Sequence, residues 1–106
     1  MKIGISSSGN KLDSFVDSRF GRCPYFIIVD TDTMQFKVIN NSGAGRQGGA
    51  GINAAQLIID EGVEVLISGN IGPNAEQALK ASNVKILTGL SGTIKEVVEK
   101  FKRGEI

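Results

Sequence analysis

The sequence contains no histidine and no tryptophan, and its only cysteine is Cys23. Without histidine, the chain lacks the usual general base near neutral pH and the commonest metal ligand. A single cysteine excludes an internal disulfide and cannot complete an all-protein zinc or iron–sulfur site within one chain. Aromatic residues make up 6% of the chain, so a surface that stacks nucleic-acid bases is not expected.

Charge and hydrophobicity are those of an ordinary globular protein. The formal net charge is +1, so no strong field favours a nucleic acid or an acidic membrane surface. No apolar run approaches the ~20 residues of a membrane-spanning helix, and the start is too short for a signal-peptide core. Together with the lone cysteine, these features predict a single cytoplasmic domain over residues 1–106.

Five segments have the pattern of β-strands. Residues 2–7 and 63–67 are short and apolar, and the continuous apolar run of residues 24–29 suits a central strand buried on both faces. Residues 34–39 mostly alternate between apolar and polar side chains, which predicts a half-exposed edge strand in a hairpin with the strand before it. Residues 85–87 form the last predicted strand.

Three segments have helical periodicity. The first follows the glycine-rich residues 41–51 and ends at Gly62, and the second begins at Pro73. The third begins at Thr93, which forms a capping-box pattern with Glu96. The predicted inward faces contain, in chain order, Ile52, Ala55, Ile58, Ile59, Ala75, Ala78, Leu79, Ile94, Val97, Val98 and Phe101.

The order of elements, β-β-β-α-β-α-β-α, predicts a mixed sheet with one antiparallel strand. Right-handed crossovers place the first two helices on one face of the sheet, and the last helix can cover the other face. Loops at residues 8–22, 41–51, 69–74 and 89–92 then follow parallel strands, and the first of them is predicted to be a packed loop. Open α/β sheets bind ligands beyond these strand ends, so the site is expected in the loops.

The segment Gly43-Ala44-Gly45-Arg46-Gln47-Gly48 has the glycine spacing of a dinucleotide-binding fingerprint. The predicted strand before it lies at an edge, and Glu64 lies at the start of the next strand rather than at its end, so a nucleotide cofactor is not favoured. The helix after the segment lacks a capping side chain, and free N–H groups at a helix start attract anions. A tight connection with water on the helix end is an equally open interpretation.

Two other loops contain candidate ligands. Arg19 and Arg22 precede Cys23; guanidinium groups bind oxyanions, a thiolate binds soft metals, and a neighbouring arginine would lower the pKa of the thiol. Alternatively, Cys23 packs in the core and the arginines are solvated. Asn70 and Asn74 offer further donors, unless their loop is only an ordinary N-cap and first turn.

No arrangement of residues points to catalysis. Asp13 and Asp17 could pair as catalytic carboxylates, but ion pairs in their polar loop account for both of them. Asp30 and Asp32 could also pair, but they lie in the hairpin turn, where aspartate is common. A serine nucleophile would have no histidine base. The chain is therefore predicted not to be an enzyme.

Motifs at residues 20–26, 48–52 and 69–75, together with Gly92-Thr93 and the last helix, resemble the dinitrogenase iron–molybdenum cofactor biosynthesis family. The resemblance implies a ribonuclease-H-like three-layer α/β fold, with a five-stranded mixed sheet in the order 3-2-1-4-5, strand 2 antiparallel, and helices on both faces. It also implies non-catalytic binding or carriage of a metal–sulfur cluster. One relative holds a mixed molybdenum–copper sulfide cluster without covalent attachment.

The chain departs from the family pattern at two places. Many members have histidine where this chain has Arg19, and many have histidine around Arg46 and Gln47. A histidine-anchored iron–molybdenum cofactor is therefore not expected here, whereas an anionic sulfide cluster such as a thiomolybdate is compatible with the sequence. Backbone N–H groups and arginines would hold its charge, with Cys23 as the only strong soft ligand.

The predicted site consists of Arg19, Arg22, Cys23, Gly43, Gly45, Arg46, Gln47, Gly48, Gly49, Asn70 and Asn74, with Cys23 as the metal ligand. The expected partners are a molybdenum- or iron-containing sulfide cluster or a small anion, and a protein of cluster assembly, with neither nucleic acid nor membrane. The chain is expected to be a monomer or a weak homodimer. The alternative function is a small-anion or nucleotide sensor that acts through a protein partner. A nuclease, suggested by fold analogy alone, lacks a visible carboxylate cluster.

Overall fold

Eight elements of secondary structure follow one another in the predicted order. A computed structural model describes residues 1–106. The strands are β1 (Lys2–Ser7), β2 (Tyr25–Asp30), β3 (Phe36–Asn40), β4 (Val65–Ile67) and β5 (Lys85–Leu87), and the helices are α1 (Ala50–Asp60), α2 (Pro73–Ala81) and α3 (Ile94–Lys102). All the predicted strands and helices are confirmed, although several of their ends are shifted.

The five strands form one mixed sheet in the order β3-β2-β1-β4-β5. β2 pairs antiparallel with β1 and with β3, whereas β4 pairs parallel with β1 and with β5. β3 therefore runs in the same direction as β1, and four strands end at the same edge of the sheet. This topology confirms the predicted order and hairpin, and it brings the loops of residues 8–22, 41–49, 68–72 and 88–93 to that edge.

A hydrophobic core lies on each face of the sheet. α1 and α2 cover one face, where Ile58 and Leu79 are fully buried. α3 covers the other face, where Val97 packs in one cluster with Ile3 and Ile5 of β1. The three-layer fold with helices on both faces is therefore confirmed. Cover on both faces also explains why β2 is a continuous apolar run.

The position predicted for one residue of α1 is wrong. Ile52 was expected to face inward, but it is 48% exposed. α1 begins at Ala50, inside the segment predicted to be loop, and its buried residues are Ala50, Ala54, Ala55 and Ile58. At about 100° per residue, Ile52 lies about 200° around the helix from Ala50 and so faces away from the core.

α3 begins with the predicted capping box. The Thr93 Oγ1 accepts a hydrogen bond from the Glu96 amide at 3.1 Å, and the Glu96 Oε1 accepts one from the Thr93 amide at 3.0 Å. The loop of residues 8–22 is attached to this helix start, where the Val16 amide donates to the Gly92 carbonyl at 2.9 Å. It is a packed loop, as predicted. No helix in the chain has the length and apolar character needed to cross a bilayer.

Candidate functional site

A cavity lies between the first turns of α1 and α2, at the sheet edge where the parallel strands end. Its volume is about 220 Å³. Its walls consist of Phe20, Gly21, Gly49, Gly51, Ile52, Gly72, Pro73, Asn74 and Ala75. Three segments that are distant in sequence therefore build one site, and each contributes small or apolar residues.

Both helix starts at the cavity lack a capping side chain. The N-caps are Gly49 for α1 and Gly72 for α2, and neither helix has a side-chain hydrogen bond at its cap. In each helix the fourth residue makes the first intrahelical bond, to the carbonyl of the N-cap. The amides of residues 50–52 and 74–75 consequently have no acceptor within the protein. The expectation of an uncapped α1 is confirmed.

Glycines allow the backbones around the cavity to approach one another closely. A Cβ on Gly21 would lie 3.0 Å from the Gly51 nitrogen, which is closer than side chains normally tolerate. A Cβ on Gly51 would lie 3.4 Å from the Cβ of Ala75, so α1 and α2 are in contact at their first turns. Because of these contacts, the two helix starts and the loop of residues 19–24 form one compact wall.

The cavity has no charged side chain in its walls. Its positive potential comes from the two helix starts, each of which carries about half an elementary charge. Backbone N–H groups that are already oriented hold an anion without ordering a long side chain. Phe20, Ile52 and Pro73 add apolar surface. The arrangement can hold a small anion through hydrogen bonds and dipoles, and its walls contain no thiolate, imidazole or carboxylate group that would ligate a metal ion.

Arg19 is bound to a carboxylate and does not line the cavity. Its backbone amide and Nε donate to the Asp17 Oδ1 at 2.8 and 3.1 Å, and its Nη2 donates to the Asp17 Oδ2 at 3.1 Å. Burial acts to raise the pKa of Asp17, but the hydrogen bonds from Arg19 outweigh it, so the pKa is lowered overall. Asp17 is 7% exposed, and its charge therefore depends on Arg19.

Arg22 and Arg46 both contact the glycine loop, which we define as residues 41–49. The Arg22 Nη1 donates to the carbonyl of Ala44 at 2.9 Å and also to the carbonyl of Arg46. The Arg46 Nε donates to the Gly48 carbonyl at 3.3 Å, and its Nη2 lies 3.9 Å from the position of a Cβ on Gly49. Neither guanidinium has a carboxylate partner. Because its guanidinium lies close to Gly49, Arg46 is the arginine beside the cavity wall.

Cys23 is fully buried in the core between the sheet and α1 and α2. Its Sγ donates to the Phe20 carbonyl at 3.3 Å. Burial, and secondly the charge of Asp17, raises the pKa of the thiol to about 12. The expectation that neighbouring arginines lower this pKa is wrong, because the guanidinium groups are held by other partners while the sulfur is desolvated. Metal ligation by Cys23 stays a prediction, and the geometry favours the packing alternative.

The predicted glycines of the glycine loop have different surroundings. Gly43 is buried, and a Cβ there would lie 2.4 Å from the Asn53 Nδ2, so the residue is needed for packing. Gly45, Gln47 and Gly48 are exposed. A Cβ on Gly45 or Gly48 would meet nothing within 4 Å. Their smallness is therefore not explained by contacts within the chain.

Two of the predicted site residues line the cavity, namely Gly49 and Asn74. Asn70 is exposed outside it, and its Oδ1 accepts a hydrogen bond from the Ile71 amide at 2.9 Å. The binding roles of all these residues stay predictions. Arg19, Arg22 and the Cys23 thiol are not part of the cavity wall, whereas the Arg46 guanidinium lies beside it at Gly49.

The sequence interpretation did not include several wall residues among the site residues. Phe20, Gly21 and Gly72 line the cavity. A signal for Gly72 existed, because the proline that follows it marks a first helical turn and so identifies the N-cap. Gly21 carried no such signal, since its contact with α1 joins residues 30 positions apart in the chain.

The chain matches a known family along nearly its whole length. The family described as dinitrogenase iron-molybdenum cofactor matches residues 1–104. The chain belongs to this family. The resemblance seen in its sequence motifs is thereby confirmed.

One relative identified by sequence and two solved structures are similar to the chain. An uncharacterized protein of Methanocaldococcus jannaschii is 30% identical over 109 aligned positions, covering 100% of this chain and 89% of that protein. The apo form of the orange protein of Desulfovibrio gigas has a TM-score of 0.95 and 39% identity, over 98% of this chain and 88% of that one. A Thermotoga protein solved by NMR has a TM-score of 0.83 and 38% identity, over 97% of this chain and 88% of that one.

Proposed function

We propose that this protein is a cytoplasmic carrier that binds an anionic metal–sulfur unit, of the thiomolybdate or iron–molybdenum type, in the cavity between the starts of α1 and α2. The observation that supports the proposal is the cavity itself, with uncharged walls and two uncapped helix starts. Membership of the dinitrogenase iron-molybdenum cofactor family supports the choice of cargo. The protein would bind and release this cargo without transforming it.

The chemistry of the cavity suits a sulfide anion. Amides of residues 50–52 and 74–75 have no acceptor within the protein and are available as donors. Apolar side chains such as Phe20 and Pro73 can contact sulfide faces, which are weakly hydrated. The site supplies no histidine and no exposed thiol, so the cargo would be held without a covalent bond to the protein.

Arg46 is the arginine that fits this proposal best. Its guanidinium lies beside Gly49 at the cavity wall and has no carboxylate partner. It would supply charge at the rim, where solvent remains. Cys23 is set apart by its burial and by its bond to the Phe20 carbonyl, so we assign it to packing rather than to ligation.

The test is addition of tetrathiomolybdate, with and without copper or iron, to protein purified without oxygen or chelators. We expect stoichiometric visible absorption that survives gel filtration. Gly51→Val, which adds a side chain to the cavity wall, should abolish this absorption. Gln77→Val on the exposed face of α2 is the matched control and should bind like the wild type.

Protein that stays colourless in every mixture would overturn the cluster proposal. The alternative of a small-anion sensor would then be favoured, because the same amides suit a phosphate group. A thermal shift with inorganic phosphate in the presence of a chelator, absent in Gly51→Val, would support that alternative.

A further inference from the structure

The loop of residues 19–24 and the glycine loop are tied together in both directions. From the glycine loop, the Asn41 Nδ2 donates to the carbonyls of Gly21 and Cys23 at 3.2 and 2.8 Å. From the other loop, the Arg22 Nη1 donates to the carbonyls of Ala44, at 2.9 Å, and of Arg46. Each loop thus binds two carbonyl oxygens of the other with one side chain.

Few other interactions restrain the glycine loop. At its start, the Asn41 amide donates to the Pro24 carbonyl at 3.0 Å. Within it, the Ala44 amide donates to the Asn41 carbonyl at 3.1 Å and the Arg46 amide to the Gly43 carbonyl at 3.0 Å. Glycine loses more conformational freedom on ordering than any other residue, so a loop this rich in glycine needs external contacts to hold one conformation. Arg22 supplies two of them. The order of the glycine loop therefore depends strongly on this guanidinium.

The position of Arg22 does not suit direct contact with an anion in the cavity. Its side chain is not among the cavity walls, and the nitrogen that bonds the loop already has two carbonyl acceptors. Carbonyl oxygens carry partial negative charge and repel an anion. Their hydrogen bonds to Arg22 direct these two carbonyl oxygens toward a positively charged guanidinium instead.

We propose that Arg22 is a positioning residue, whose guanidinium holds the carbonyls of Ala44 and Arg46 so that the glycine loop keeps Gly49 and the start of α1 open to an anion. This inference rests on the proposed function. The guanidinium itself makes no contact with the anion. Both bonds are made by one guanidinium nitrogen, Nη1. The ammonium nitrogen of lysine lies one bond closer to the backbone, so lysine keeps the charge but does not reach both carbonyls in this position.

The first arm of the test measures the loop without any ligand. ¹⁵N relaxation of the wild type should give order parameters near ~0.85 for residues 44–48, and Arg22→Lys and Arg22→Met should each lower them below about 0.6. Lys100→Met, which removes an exposed charge on α3, is the control and should leave the loop unchanged. Unchanged order parameters in both Arg22 variants would overturn the proposal.

The second arm measures the affinity for tetrathiomolybdate by visible absorption. We expect Arg22→Lys and Arg22→Met to bind about tenfold more weakly and to similar extents, with a shifted absorption band, and Lys100→Met to bind like the wild type. If Arg22→Lys bound normally while Arg22→Met did not, charge rather than positioning would be the role of Arg22. If the wild type itself bound nothing, the proposed function would be wrong, and the first arm would still decide whether Arg22 orders the loop.

Discussion

Cys23 and Asp17 are two buried titratable residues whose pKa values differ from those of the free side chains. Cys23 is desolvated in the core, and Asp17 keeps its charge at a nearly buried position through Arg19. Both lie beneath the loops at the sheet edge. They support the backbone of the site, and their titration should affect stability rather than ligand contacts.

Cys23 is expected to make the protein lose stability at alkaline pH. The unfolded thiol ionises near pH ~8.5, whereas burial keeps the folded thiol protonated up to a pKa of about 12. Between these values the folded state binds more protons, so stability falls as pH rises, by about 2 kcal/mol at pH ~10. Urea unfolding of the wild type and Cys23→Ala from neutral to alkaline pH will show this as a steeper loss of stability in the wild type than in the variant.

The Cys23→Ala variant is also the control for other groups that titrate at alkaline pH. Tyrosine and lysine residues are common to both proteins, so the difference between the two curves belongs to the thiol. Equal slopes in both proteins would mean that Cys23 is accessible to solvent. That result would reopen its assignment as a metal ligand.

At the scale of secondary structure, the site is produced by two helix starts and the loop packed against them. Gly49 adopts a positive φ of 75°, which turns the chain into α1 without a capping side chain. Gly21 allows the loop to lie directly on the first turn of α1. The elements therefore determine both the donors of the cavity and its width.

Gly21→Ala should damage this contact. The new Cβ would lie 3.0 Å from the Gly51 nitrogen, so the loop must shift away from α1, at a cost of about 1–3 kcal/mol. Thermal or urea unfolding measures the cost. Gly72→Ala is the matched control, because a Cβ there meets nothing within 4 Å and the φ of −76° is ordinary. A loss of stability in Gly72→Ala equal to that in Gly21→Ala would contradict the contact.

At the scale of the whole molecule, charge is nearly balanced. The net charge is +1, the radius of gyration is 12.2 Å, and the cavity walls are uncharged. An anion in the cavity would thus interact mainly with nearby dipoles. Long-range attraction by the protein as a whole would add little.

Binding of tetrathiomolybdate should therefore depend weakly on ionic strength. Raising sodium chloride from about 0.05 to about 0.5 M shortens the screening length from roughly 14 to roughly 4 Å, which weakens exposed charge pairs but hardly affects contacts within a cavity. We expect the dissociation constant to change by less than about tenfold across this range. A hundredfold loss would indicate that exposed arginines carry the binding.

Much of the fold was predictable because it depends on local patterns. The capping box at Thr93 and the apolar run of β2 specify their elements within a few residues, and the element order limits the topology. The environment of Cys23 was not predictable in the same way. Arg22 precedes it directly in the sequence, but its spatial neighbours include the apolar side chains of α1 and α2.

The sequence by itself determined the order of strands and helices, the family, the absence of histidine and the position of flexible, small-residue loops at one sheet edge. Only the tertiary structure decided that Cys23 is buried, that Ile52 faces outward, and which carbonyls Arg22 binds. The reason is physical. Helix and strand formation depends on side chains a few residues apart, whereas burial, pKa and hydrogen-bond partners depend on groups that meet only after the chain has folded.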